Sequence, residues 1–140
     1  MGQPRWEHFH HGADIGVRGV ADTAAGAFEQ AALALTAVIA EPANVACKSS
    51  LQIECEAPDL ELLLVDWLNA LIYEMATRNM LFAGFKVQLM DNRLVARVQG
   101  ESVDVSKHHP AVEVKGATYT ELRVEQAIDS DWLAQCVVDV

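Results

Sequence analysis

Residues 58–79 read PDLELLLVDWLNALIYEMATRN, and the reading of this stretch decides the fold. Leu60, Leu63, Leu64, Trp67, Leu68, Leu71 and Met75 recur at helical spacing and form one apolar stripe, the face that an amphipathic helix turns toward a core. Pro58-Asp59 opens the helix, with Asp59 as N-cap. Arg78 sits near the other end, where the helix dipole favours a cation, and Asn79 suits a left-handed cap. The stretch also argues against a membrane span, because Glu61, Asp66, Asn69 and Glu74 interrupt an apolar run that is too short to cross a bilayer. A helix with one apolar face needs another layer to pack on, and the flanking sequence supplies strands.

Immediately upstream, residues 45–57 place Leu51, Ile53 and Cys55 on one side and Gln52, Glu54 and Glu56 on the other, the alternation of a half-buried strand. Downstream, residues 82–90 and 93–99 read as a hairpin closed by Asp91-Asn92. Residues 100–111 read as a loop and 112–119 as a further strand. Residues 122–127 and 132–140 make a last hairpin across Asp129-Ser130-Asp131. Toward the amino terminus, residues 23–40 carry Phe28, Ala31, Leu35, Val38 and Ile39 at helical spacing, with Asp22 or Thr23 as cap and Pro42 as stop. Gly26 weakens that helix by about 1 kcal/mol relative to Ala. Residues 6–10 and 15–20 alternate as strands, broken at Gly12-Ala13-Asp14. The order of elements argues an α+β fold: a mainly antiparallel sheet with two helices packed on one face, in a single domain spanning residues 1–140.

With 51% apolar residues, a chain of 140 residues can bury a sizeable core. The net charge of −10 makes it a poor candidate for gripping phosphate backbones, whose affinity comes largely from Lys and Arg. It can still meet a basic protein partner, since surface charge of the opposite sign steers encounter. The three cysteines, Cys47, Cys55 and Cys136, show neither CxxC nor zinc spacing, and an odd count cannot form a complete disulfide framework. They read as reduced, partly buried thiols of a cytoplasmic protein. Residues 1–14 are polar and His-rich and lack the apolar segment of a signal peptide.

Chemistry-bearing residues are few. Asp14, between Gly12 and Gly16, is a turn residue by its commoner role and a metal ligand by its rarer one. Asp139 and the α-carboxylate of Val140 are adjacent hard-oxygen donors. A third carboxylate from Asp14 would complete a pocket suited to Mg²⁺ or Ca²⁺. Spacing alone does not bring Asp14 and Asp139 together. His8, His10 and His11 invite a transition-metal reading, but His8 and His10 share one strand face and His11 points away; a solvated face is the plainer account. Asp129 and Asp131 flank a hairpin tip, where Asp serves turns. Lys107-His108-His109 is a local basic spot, either a solvated loop or a contact for a phosphate or acidic group. Lys115-Gly116-Ala117-Thr118-Tyr119 is not a phosphate loop, and GxSxG, HExxH and GxGxxG are absent. Catalysis is not signalled.

Several segments resemble the archease family. Trp6-Glu7-His8-Phe9 with His11-Gly12-Ala13-Asp14-Ile15-Gly16 is similar to its amino-terminal signature. Phe28-Glu29-Gln30-Ala31-Ala32-Leu33-Ala34-Leu35 resembles its first helix and Leu63-Leu64-Val65-Asp66-Trp67-Leu68-Asn69 its second. Glu113-Val114-Lys115-Gly116-Ala117-Thr118-Tyr119 resembles its lysine-bearing segment, and Val138-Asp139-Val140 its carboxyl end. The resemblance covers nearly the whole chain in order. It implies an α+β fold and a protein that assists an RtcB-type RNA ligase, which joins RNA ends with GTP and Mn²⁺ in tRNA splicing and RNA repair. The implied role is to promote guanylylation of the ligase histidine and so multiple turnover, reaching RNA only through the ligase. The resemblance places a divalent metal, Ca²⁺ or Mg²⁺, at Asp14, Asp139 and Val140. It also places Lys115 nearby, and His11 and His108 join Lys115 as candidates for the partner surface. Thr120-Glu121 stands where many members have His-Gly, and Gly12 where many have Thr. Two rival classes remain: a small metal-dependent hydrolase or phosphotransferase, and an RNA chaperone. The charge balance counts against the second of these.

Overall fold

The computed structural model describes residues 3–140; Met1 and Gly2 of the polar amino-terminal stretch lie outside the described residues. The chain runs β1 (Arg5–His11), β2 (Asp14–Ala21), α1 (Ala24–Ile39), a 3₁₀ turn (Pro42–Asn44), β3 (Ser49–Glu56), α2 (Leu60–Arg78), β4 (Met80–Met90) and β5 (Arg93–Ser102). It continues with a single-turn helix α3 (Val105–His108), β6 (Gly116–Ala117), β7 (Arg123–Gln126) and β8 (Trp132–Asp139). This is the expected α+β architecture, and every strand pair is antiparallel.

The strands divide into two sheets rather than one. The first has the order β1-β2-β8, with β6 and β7 both paired to β8, and the second has the order β3-β5-β4. Each main helix contacts both sheets. The ends of the helices follow the capping chemistry of the sequence. Thr23 accepts from the Gly26 N–H, and Asp59 accepts from the Leu62 N–H. Asn79 closes α2 at φ 53°, so β4 starts at Met80, two residues before the alternating pattern begins. The glycine inside α1 has a packing reason: a Cβ on Gly26 would lie 2.8 Å from the Ala21 Cβ. Gly19 lets β2 touch α1, since a Cβ there would meet the Ala27 carbonyl oxygen at 2.1 Å.

The core lies between the helices and the two sheets. Trp67, Phe28, Phe82, Leu35, Leu63, Leu64, Leu68 and Leu71 are its largest buried side chains. Burial of a side chain such as Trp67 or Phe28 stabilises by about 1.5–3 kcal/mol. Two polar side chains inside tie elements together. The Trp67 indole donates to the Phe28 carbonyl at 3.1 Å, tying α2 to α1, and the Thr36 hydroxyl donates to the Phe82 carbonyl at 2.6 Å, tying α1 to β4.

Three local expectations need correction. Residues 100–111 are not a loop throughout: β5 runs to Ser102, and α3 follows. Residues 112–119 are not a strand throughout, because only Gly116 and Ala117 pair with β8. In residues 45–57 the strand starts at Ser49.

Candidate metal and partner site

Asp14 starts β2, one tight turn after β1. His11 and Asp14 face each other across that turn, which Gly12 makes with φ +60°. On its other edge β2 pairs with β8, from Ala21 opposite Trp132 to Ile15 opposite Val138. One residue further along that register, Asp14 stands opposite Asp139. The Val140 N–H donates to Asp14 Oδ1 at 3.3 Å, across 126 residues of sequence. β6 lies on the far edge of β8, with Gly116 opposite Asp139, and the Lys115 N–H donates to the Asp139 carbonyl at 2.8 Å.

The neighbouring ends of β1, β2, β8 and the segment entering β6 therefore gather His11, Asp14, Asp139, Val140 and Lys115 at one end of the first sheet. His11, Asp139 and Lys115 are exposed, while Asp14 and Val140 are half-buried. Asn69, which the sequence marks only as a break in an apolar run, supports this arrangement. Its side-chain carbonyl on α2 accepts from the Ala117 N–H at 2.8 Å and fixes β6 to the helix. The readable signal was a polar residue interrupting the apolar stripe.

Among the described residues, no group of three or more His, Cys, Asp or Glu side chains is arranged to hold a metal ion. The strand ends bring Asp14 and Asp139 together as two carboxylates, with His11 across the turn from Asp14. Both carboxylates offer oxygens, a chemistry that fits a hard divalent cation such as Ca²⁺ or Mg²⁺ and not a thiophilic one.

His108 belongs elsewhere. Its side chain is fully buried, which corrects its reading as a solvated or partner-facing residue. His108 Nδ1 accepts from the Asp104 N–H at 2.9 Å, so the ring proton sits on Nε2 and is donated to Glu101 at 2.9 Å. Glu101, also buried, accepts from the Ala46 N–H at 2.8 Å and from Lys107 Nζ at 2.7 Å. The Ala46 N–H chiefly, then Lys107 and His108, hold the Glu101 carboxyl well below the usual carboxylate range. Nothing in the spacing of Glu101 marks it as the centre of this cluster.

The other candidates serve structure. His8 Nε2 bonds the Ala34 carbonyl at 2.8 Å, joining β1 to α1. The Asp131 N–H donates to the Asp129 carboxylate at 3.1 Å, within the hairpin tip. The cysteines form no disulfide; Cys47 is exposed, and burial pushes the Cys55 thiol up to about 11 and Cys136 up to about 12.

Fold and strand-end cluster together define a class: a small α+β protein with Asp14 and Asp139 gathered at one end of a sheet. The Archease protein family (MTH1598/TM1083) matches residues 6–140. A protein archease of Pyrococcus furiosus is 41% identical over 97% of this chain and 99% of its own length. One from Sulfurisphaera tokodaii is 32% identical over the same shares of the two chains. The solution structure of Methanobacterium thermoautotrophicum protein 1598 superposes with a TM-score of 0.78 at 26% identity, covering 96% of this chain and 98% of that one. The crystal structure of a Thermotoga maritima archease, described as a possible chaperone, has the same fold at a TM-score of 0.60 and 16% identity, covering 100% and 98%. The chain belongs to the archease family.

Proposed function

We propose that this protein is a metal-binding, non-catalytic activator of an RtcB-type RNA ligase in the cytoplasm, acting in tRNA splicing or RNA repair. It promotes guanylylation of the ligase and so its multiple turnover, and it meets RNA only through the ligase. The observation that carries the reading is the meeting of Asp14 with Val140 and of Lys115 with Asp139 at one sheet edge. Asp14, Asp139 and the Val140 α-carboxylate would hold Ca²⁺ or Mg²⁺, and a bound divalent cation would supply positive charge to an anionic nucleotide group. Lys115 adds a second positive charge on the same edge. The carboxylates keep the surrounding surface acidic, which draws a basic region of the ligase and should make stimulation fall as salt rises.

An activator works only as far as it binds the nucleotide-transfer conformation of the ligase better than the others. Holding a partner in one conformation is also in keeping with the description of the Thermotoga relative as a possible chaperone. Among the described residues no helix is long and apolar enough to cross a membrane.

The experiment is a time course of guanylylated ligase with less than one molecule of this protein per ligase, alongside Lys115→Ala and Asp139→Ala checked for folding by circular dichroism. Stimulation by wild type and its loss in both variants is the expected result. Full stimulation by both folded variants rejects this edge as the working one. Phosphatase or nuclease activity of the protein alone would replace the activator reading with a metal-dependent hydrolase.

A further inference from the structure

The segment between α3 and β6 is a strap tied at its two ends. The Ala111 N–H donates to the Ile39 carbonyl at 2.8 Å, and the Lys115 N–H donates to the Asp139 carbonyl at 2.8 Å. Between these ties, Val112, Glu113 and Val114 neither donate nor accept a backbone hydrogen bond among the described residues, because strand pairing begins only at Gly116. Beneath the strap lies an apolar cavity of about 130 Å³, the size of one aliphatic side chain. Ile39, Ile72, Ala76 and Met80 line it, and Val112 and Val114 form its wall on the strap side.

A backbone segment with unpaired N–H and C=O groups beside a single-residue apolar pocket offers what strand addition uses. The main chain supplies the hydrogen bonds, and the pocket selects a side chain. The charge of the rim narrows the occupant. Glu113 lines the cavity and is exposed, and among the described residues it makes no ion pair. The whole chain carries a net charge of −10. A basic residue beside the seated apolar one matches this rim.

We infer that the strap docks an extended segment of the partner ligase, with an aliphatic side chain in the cavity and a neighbouring Lys or Arg at Glu113. The inference rests on the activator reading, which it deepens. Lys115 ends the same strap, so a segment seated at Val112 to Val114 lies directly beside the strand-end cluster. Docking and activation then use adjacent but separate residues.

The test is a titration of this protein against ligase and GTP, reading both the half-saturating concentration and the maximal stimulation. Ala76→Arg blocks the cavity mouth from an exposed helix position, and Glu113→Lys reverses the rim charge; neither removes a core side chain. Each should raise the half-saturating concentration about ten-fold or more, the loss of a hot-spot contact, while leaving maximal stimulation unchanged. Amide exchange at residues 112–114, fast in the free protein, should slow on adding ligase. Wild-type half-saturation in both variants, with wild type stimulating normally, overturns the dock and leaves the activator reading standing. No stimulation by wild type removes the activator reading and the dock with it. Dimerisation of the protein seen by sedimentation and abolished by Ala76→Arg would assign the strap to a second copy, which also overturns the proposal.

Discussion

Two polar clusters of this molecule contain the same kinds of residue and behave oppositely. Around Glu101, one buried carboxylate receives a backbone N–H, a lysine and a histidine, and the surrounding segments close over it. At the strand ends, Asp14 receives one long hydrogen bond from Val140, and the exposed side chains of Asp139 and Lys115 make no ion pair with each other. The first cluster has its hydrogen-bonding capacity met from within, so it can hold the chain together but has little left for a ligand. The second keeps acceptors and a cation facing outward. Charged groups that lie close together can thus be closed by one another, as around Glu101, or left open to solvent, as at the strand ends.

Core, closed cluster and open site should separate in stability measurements. Trp67→Ala, which leaves a void at the centre of the core, should cost about 3–5 kcal/mol in urea melts. His108→Ala leaves the Asp104 N–H without its acceptor and Glu101 without one donor, and should cost about 1–3 kcal/mol. Asp14→Ala, measured in chelator, should change stability by less than about 0.5 kcal/mol, as at most surface positions. A cost at Asp14 equal to that at His108 would erase the distinction between the clusters.

Acid sharpens the same contrast. The Glu101 carboxyl has a lowered pKa in the folded protein, so its contribution is complete above the pKa of the unfolded chain. It is lost progressively as the pH falls from there toward the folded value. The melting temperature of wild type should therefore drop as the pH goes below the ordinary carboxylate range. Glu101→Gln, less stable at neutral pH, should show a flatter dependence there. Parallel curves for the two proteins would place the acid-sensitive groups elsewhere.

How much of this was legible depended on whether the deciding interactions are local. The second helix could be read from Asp59, its apolar stripe and Asn79, because caps and periodicity act within a few residues. The hairpin of β4 and β5 was legible through its Asp91-Asn92 turn. The approach of Asp14 to Asp139 was not, since it follows from the β2–β8 register, a pairing that no spacing encodes; only the family resemblance suggested it. The burial of His108 on Glu101 was hidden for a related reason. A Glu after a glycine and a His in a polar run look solvated until α3 folds back and buries them together. Val112 and Val114 alternate as a strand would, but their apolar side chains wall a cavity and their backbone has no partner strand. The division of the strands into two sheets was likewise hidden, because alternation reports which residues face inward and not which strands are neighbours.

As proposed, the strand ends are the working site without carrying the fold. Calorimetric titration of Ca²⁺ into wild type and into folded Asp14→Ala tests it most directly. Wild type should bind saturably, and the variant about ten-fold or more weaker, since one of the proposed anionic donors is gone. Equal affinity in the two proteins would contradict it.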